Sequence, residues 1–340
     1  IIIDKKIIFP NSLGVFYEAF TQFLGFKNYG DEYKMMGLSS YGKSNLTNKL
    51  EKIINISRNG EFILNLDYFN HHKKNTNYSW EDSQPFSKRL FSNKIYDLLG
   101  PQREKDESIS DYHLNIASSV QKIYETALFN ILSHVEKKYP DIKNLTLSGG
   151  CAQNSLANGK IKNQTSFENI FIPPNPGDAG GAIGAALYVY NKNNTQKLNI
   201  FDNKNPYLGP NFDSINIKKQ IDLNQKKLDL DNCKVSYYQE FDDLTKFVAR
   251  KISQSKIVGW FQGNMEWGPR ALGNRSILAD PRNKNIKDIL NTKIKKREEF
   301  RPFAPAILEE EINDWFELQN IKSPYMSNVY KFKKKVIDTM

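Results

Sequence analysis

Two stretches of this sequence gather residue types suited to binding anions. Residues 263–275 read Gly-Asn-Met-Glu-Trp-Gly-Pro-Arg-Ala-Leu-Gly-Asn-Arg and carry Glu266, Arg270 and Arg275. Residues 295–303 read Lys-Lys-Arg-Glu-Glu-Phe-Arg-Pro-Phe and carry Lys295, Arg297 and Arg301. A guanidinium fork matches phosphate or carboxylate oxygens bidentately and an ammonium adds a compact point charge, so the mixture suits a polyanion. The competing reading is a solvated basic face, the ordinary fate of a charge run in a chain with 48 Lys and Arg. Against it stand Trp267, Phe300 and Phe303, interleaved with Gly and Pro residues that fix loop geometry. The two basic stretches therefore read as loops that could converge on one anion.

The middle of the chain offers a second device. Residues 145–147 form an apolar strand pattern, followed by Gly149-Gly150 and a helical stretch over 151–158 that includes Asn154. Residues 170–172 repeat the order: strand, a Pro-rich turn ending in Gly177-Asp178, then a small-residue helix from 179 with Gly180 and Gly181. A helix start presents unpaired amides and partial positive charge, so strand, glycine turn and helix can cradle a phosphate. Asp178 at the helix mouth either caps the helix or meets a cation, and spacing leaves both open.

Stepping outward, 13–24 carries Leu13, Phe16, Tyr17, Phe20, Phe23 and Leu24 at helical spacing, ended by Gly25 or Gly30. A charged, glycine-punctuated loop is expected over 30–42, and a hairpin over 53–69 turning at Asn59-Gly60. His71 and His72, flanked by lysines, are expected at the surface. The clearest helix spans 110–138, with Ser110 as N-cap, Pro140 as its stop, and His113 and His134 as structural residues. Periodicity is lost from Asn191, and residues 196–206 are read as a linker between parts 1–195 and 207–340. Beyond it come a strand at 235–237, a helix around 244–252, a short buried strand at 257–261, a helix at 286–290 and a strand within 325–332. The alternation of strands and helices places the chain in the α/β or α+β class.

At 340 residues, with 39% hydrophobic and 25% charged content, the chain is long enough for two domains and globular in composition. No run approaches the roughly 18–20 apolar residues that cross a bilayer, so a cytoplasmic location without membrane association is the expectation. The net charge of +10 comes from dispersed lysines, which argues against a nucleic-acid partner. Cys151 and Cys233 stand far apart, supporting neither a disulfide framework nor a zinc cluster.

Residues 263–282 and 295–305 closely resemble the NodU/CmcH O-carbamoyltransferases of nodulation-factor and antibiotic biosynthesis, with Asn264 where that family usually has arginine. Residues 30–42 resemble it as well, with Ser39-Ser40 in place of the usual Ala-Pro. The resemblance implies an ASKHA-type (actin- and sugar-kinase-like) carbamoyl-transfer domain over 1–195 and a YrdC-like domain over 207–340. It implies that the second makes carbamoyl adenylate from carbamoyl phosphate and ATP, with Arg270, Lys295 and Arg301 on the phosphates and Arg275 and Arg297 close by. Gly149, Gly150, Asn154, Gly180 and Gly181 would hold the adenylate while a hydroxyl of a small-molecule acceptor attacks. Asp178 would join histidines in binding iron or another divalent metal. The family's histidine-bearing opening segment has no counterpart before Ser12, nor its closing segment after Met340, so weak iron binding and poor transfer by this chain alone are expected. An ASKHA-type phosphotransferase or ATPase explains the glycine loops alone, and a non-catalytic scaffold that kept the fold is the third possibility.

Overall fold

The computed structural model describes residues 3–73, 78–81, 84–198, 205–317 and 323–338. Its contacts divide the chain into two units. The first comprises Ile1–Ile172, Arg297–Phe303 and Ser327–Tyr330, the second Pro173–Lys296, Ala304–Met326 and Lys331–Met340. Of the expected linker, residues 199–204 lie outside the described residues. The architecture is mixed α/β in both units.

The first unit is built around helix α1, Leu13–Phe23. Ser12 caps it by accepting from the Val15 amide at 3.2 Å, and Phe16, Phe20 and Phe23 on its apolar stripe are fully buried. The helix ends where Gly25, at φ +83°, turns the chain. The Gly25 amide then donates to Gln22 O and the Phe26 amide to Thr21 O, a Schellman closure. Fully burying each phenylalanine is worth about 1.5–3 kcal/mol.

The expected loop over 30–42 is largely a helix, α2, Glu32–Ser39. Its low mean hydropathy and Gly37 conceal a face on which Met35 and Leu38 are buried in the same core as α1. Strands β1, Ile54–Ser57, and β2, Glu61–Leu64, pair antiparallel across the Asn59-Gly60 turn, where Gly60 has φ +81°. A second hairpin joins β3, Tyr78–Glu81, to β4, Gln84–Ser87. His71 is not at the surface: it is buried between the Phe9 and Phe69 rings, with Nε2 2.7 Å from Pro10 O. Burial lowers its pKa, which keeps it neutral.

Helix α3, Asp111–Lys138, forms the spine of this unit. Ser110 and His113 make a reciprocal capping box, and Ile116, Ala117, Val120, Ile123, Tyr124 and Ala127 face the core. His134 packs its Cβ against Gly60, consistent with a structural role. After it, β5, Asn144–Thr146, pairs parallel with β6, Asn169–Phe171. The helix expected at 151–158 is split into a 3-10 turn, Gly150–Gln153, and a four-residue helix α4, Ser155–Asn158.

A polar chain ties α1 to β4. Gln22 Nε2 donates to Ser87 Oγ at 2.7 Å, and the Ser87 hydroxyl donates to Glu18 Oε1 at 2.9 Å. Burial pushes the Glu18 carboxyl from its ordinary 4.5 up to about 7, outweighing the Ser87 bond. A carboxyl raised in the folded state stabilises the fold fully below its unfolded value, and this is lost as pH rises through about 7. Glu18→Gln keeps an acceptor for Ser87 and removes the ionisation. Urea unfolding at pH 8 and pH 4 should show the variant gaining about 1–3 kcal/mol on wild type at pH 8 but little at pH 4. Equal differences at both pH values would show that Glu18 is ordinary.

In the second unit, helix α5, Gly180–Asn193, is followed by α6, Ser214–Leu223, and α7, Gln225–Leu230. Helix α8, Phe241–Ser253, leads to β7, Val258–Phe261, which pairs antiparallel with β8, Arg275–Leu278. Two expected strands do not form: 235–237 has no regular structure, with Tyr237 85% exposed, and 325–332 contributes a single bridge, Phe316 to Phe332. Strand β7 is half-exposed rather than buried, Phe261 being 49% exposed. The helix at 286 runs through α9, Ile286–Ile289, into a π-helical turn, Leu290–Lys295, closed by Lys296 at φ +47°.

Candidate functional site

The first unit holds the glycine turn. Gly149 has φ +95°, and a β-carbon added at Gly149 or Gly150 would meet nothing within 4 Å, so the backbone there is open to a ligand. The turn is anchored from α3 and α4. Tyr124 donates to Cys151 O at 2.8 Å, and Asn158 Nδ2 donates to Ala152 O at 2.8 Å. Asn154, a candidate ligand contact, is buried and occupied internally. Its Oδ1 accepts from the Ala157 amide and from Gln121 Nε2, each at 3.0 Å, while its Nδ2 donates to Gln121 Oε1 at 2.9 Å. Gln121 also takes the Tyr17 hydroxyl and donates to Glu125, which Lys160 meets with 2.6 Å to both carboxylate oxygens. Burial pushes the Cys151 thiol up, so it stays protonated and serves packing rather than attack.

Beside α2 lies the segment Arg297–Phe303, which belongs to this unit by its contacts. Arg301 Nε sits 2.7 Å from Glu298 Oε2, and its guanidinium covers the Tyr33 ring at 4.4 Å while also reaching the Tyr33 hydroxyl. Glu298 Oε1 meets Lys34 Nζ at 3.0 Å, and Lys34 meets Asp31 at 2.9 Å. The Phe300 ring lies 6.1 Å from that of Phe26, and Tyr41 donates to Phe300 O at 3.0 Å. Arg297 covers Phe303 at 4.6 Å. Burial, with the like charge of Arg301, lowers the Arg297 pKa. A cleft of about 930 Å³ opens along Lys34, Tyr41, Arg103, Glu298 and Phe300.

The second unit holds the other basic stretch. Glu266 is buried and accepts from the amides of Leu272 at 2.6 Å, Asn274 at 2.9 Å and Arg275 at 3.4 Å. Desolvation would raise its pKa, but these amides prevail and hold it low. Arg275 Nε lies 3.3 Å from Glu266 Oε2, an ion pair short of hydrogen-bond geometry, and Arg275 Nη2 donates to Gly268 O at 2.6 Å. Arg275 thus braces the loop from within. Residues 206–210 hold the loop's other side: the Trp267 amide donates to Pro206 O at 2.7 Å and the Tyr207 hydroxyl to Leu272 O at 2.9 Å. Arg270 is partly exposed on this frame and Lys295 is exposed. Asn264 makes a long 3.4 Å bond to Tyr207 O.

Of the sequence-nominated residues, Gly149, Gly150, Asn154, Arg297 and Arg301 belong to the first unit, and Asp178, Gly180, Gly181, Arg270, Arg275 and Lys295 to the second. Gly180 is required by packing, since a β-carbon would meet Asn175 O at 2.3 Å, whereas Gly181 is open. Asp178 is exposed. Among the described residues no three His, Cys, Asp or Glu stand together as a metal site, so that donor set does not by itself fit a transition metal. Glu298 and Lys34 were missing from the nominated set, and their pairing spans 264 residues, a signal that spacing does not carry. Glu266 was named in its loop without a role, and its amide partners Leu272, Asn274 and Arg275 lie within the same loop.

Two family models account for most of the chain: "Carbamoyltransferase N-terminus" over residues 1–187 and "Carbamoyltransferase C-terminus" over residues 249–340. The chain belongs to the carbamoyltransferase family. An uncharacterised protein of Synechocystis is 39% identical over 328 residues, covering 94% of this chain and 50% of that protein. The nodulation protein NolNO of Sinorhizobium fredii is 33% identical over 94% of this chain and 42% of its own length. The nodulation protein NolO of Bradyrhizobium diazoefficiens is 33% identical over 98% of this chain and 56% of its own length. The chain spans about half the length of these relatives. The glycine turn and Asp178 fall in the N-terminal match, and the basic stretches with Arg270 and Arg301 in the C-terminal match, so both carbamoyltransferase segments carry nominated residues.

Proposed function

We propose that the chain serves ATP-dependent O-carbamoyl transfer, with an ASKHA-type domain over 1–195, a linker over 196–206 and a YrdC-like domain over 207–340. Carbamoyl phosphate, ATP and water give carbamoyl adenylate, pyrophosphate and phosphate; an acceptor hydroxyl then attacks the carbamoyl carbon and AMP leaves. The acceptor is a hydroxyl-bearing small molecule such as a sugar or secondary metabolite, and the compartment is the cytoplasm, where no helix among the described residues is long and apolar enough to cross a membrane. The observation that carries the reading is that both carbamoyltransferase segments match, each with a device suited to phosphate: an open glycine turn in one, a braced arginine loop in the other.

In this reading Arg270 and Lys295 bind phosphate in the second unit, with Arg275 bracing the Arg270 loop, and Arg301 binds an anion in the first, with Arg297 adding charge. Each lost charge-assisted contact costs on the order of 1.5–3 kcal/mol, or roughly ten- to a hundredfold in adenylate formation. The test is to supply carbamoyl phosphate and ATP and follow the products. Pyrophosphate release, reduced by Arg270→Ala and Arg301→Ala, is the expected result. ADP would favour the phosphotransferase or ATPase reading, and neither product a scaffold. Gly149 and Gly150 lie against the adenylate in the first unit, and Gly181 offers an open backbone in the second. Because no protein atom crowds Gly150, Gly150→Val should weaken a carbamoyl-adenylate analogue through the ligand alone. Unchanged affinity would leave that turn without a binding role.

A further inference from the structure

We infer that Tyr33 and Lys34 of α2, with Glu298, are positioning residues that fix the Arg301 guanidinium for an anionic phosphoryl ligand. The inference rests on the proposed assignment of Arg301 to anion binding. An arginine side chain on a short loop segment has many rotamers to lose, and holding one of them needs contacts on more than one side of the guanidinium. Those contacts are present. Glu298 Oε2 lies 2.7 Å from Nε as an ion pair short of hydrogen-bond geometry, and the Tyr33 ring covers the guanidinium plane at 4.4 Å, with its hydroxyl also in reach. Glu298 is itself held, since Lys34 takes its other oxygen at 3.0 Å and Asp31 fixes Lys34 at 2.9 Å. The side chains of Lys34, Asp31 and Arg301 are 12%, 9% and 16% exposed, so solvent competes little for these bonds.

Residues 31–34 lie in the N-terminal family match and 297–303 in the C-terminal one, so the two matched segments meet within a single contact unit at this cluster. That gives a part to the charged 30–42 stretch, which from sequence was expected only as a glycine-punctuated loop.

Glu298→Gln separates positioning from plain electrostatics. Removing a carboxylate beside an anion site should tighten anion binding if charge alone mattered, whereas loss of the hold on Arg301 should weaken it. Titration calorimetry with carbamoyl phosphate is expected to show about tenfold weaker binding for Glu298→Gln and for Lys34→Met. Lys34→Arg should recover most of the affinity, and Tyr33→Phe, which keeps the ring and the fold, should lose about threefold. Glu298→Gln binding as tightly as wild type or tighter, while Arg301→Ala is weakened, would overturn the positioning role alone. Unchanged affinity in Arg301→Ala would overturn the anion assignment and the inference with it.

Discussion

Glu266→Ala should unfold the second unit at markedly lower denaturant, a loss of about 3–5 kcal/mol, the usual cost of breaking a buried charge pair from one side. The side chain of Glu266 is fully buried, and three amides of the 263–275 loop converge on one of its oxygens while Arg275 faces the other. Alanine would strand those amides and leave Arg275 with backbone carbonyls only. Trp260, Trp267 and Trp315 lie in this unit, and their fluorescence reports its unfolding. Glu266→Gln keeps an acceptor for the amides and should lose less than half as much. The low carboxyl pKa adds a sign: its stabilisation is full above the ordinary 4.5 and fades as pH falls below it, so the acid limb should flatten in the alanine variant. Matching denaturation curves for Glu266→Ala and wild type would remove the clamp from the account. If the clamp holds, carbamoyl phosphate binding should fall in step with Arg270→Ala, because the loop would no longer present that arginine.

The parts of this fold legible in the sequence are those where one segment decides its own structure. The apolar periods of α1 and α3, the Ser110 cap, and the Asn59-Gly60 turn needed no distant partner. Helix α2 escaped because Gly37 and Ser39-Ser40 suggest a loop, while its helicity depends on Met35 and Leu38 docking into a core made elsewhere. His71 escaped for the same reason: its lysine neighbours indicate surface, but Phe9 and Phe69 close over the ring. At the candidate site, residue type nominated the arginines and the glycine turn. It did not find that Asn154 is consumed by Gln121, or that Glu298 ties Arg301 to Lys34, since those pairings span 33 and 264 residues. The strand patterns at 235–237 and 325–332 show the reverse failure, in which alternation is present but no strand among the described residues supplies a ladder.

Gly42→Ala carries the second large expected effect, and its reason is space rather than backbone angle. The chain after α2 passes close against the first turns of α3, with the Lys43 amide on Asn115 Oδ1 at 2.7 Å and the Leu46 amide on Ser119 Oγ at 3.0 Å. A β-carbon at Gly42 would lie 2.0 Å from Leu114 O and 2.2 Å from its carbonyl carbon. Those are backbone atoms inside a helix, so no side-chain rotation relieves the overlap and α2 must lift away from α3. Overpacking of this kind costs about 3 kcal/mol or more, which for a unit of this size lowers Tm by roughly 6–12 °C. Gly184→Ala, the same change on a helix where nothing lies within 4 Å, should be neutral or gain up to about 1 kcal/mol. Because α2 carries Tyr33 and Lys34, the Gly42 variant should also bind carbamoyl phosphate at least as weakly as Lys34→Met at temperatures where it remains folded. A Gly42→Ala protein that melts with wild type would mean that α2 does not sit this close to α3, and the contacts that orient Arg301 would fall with it.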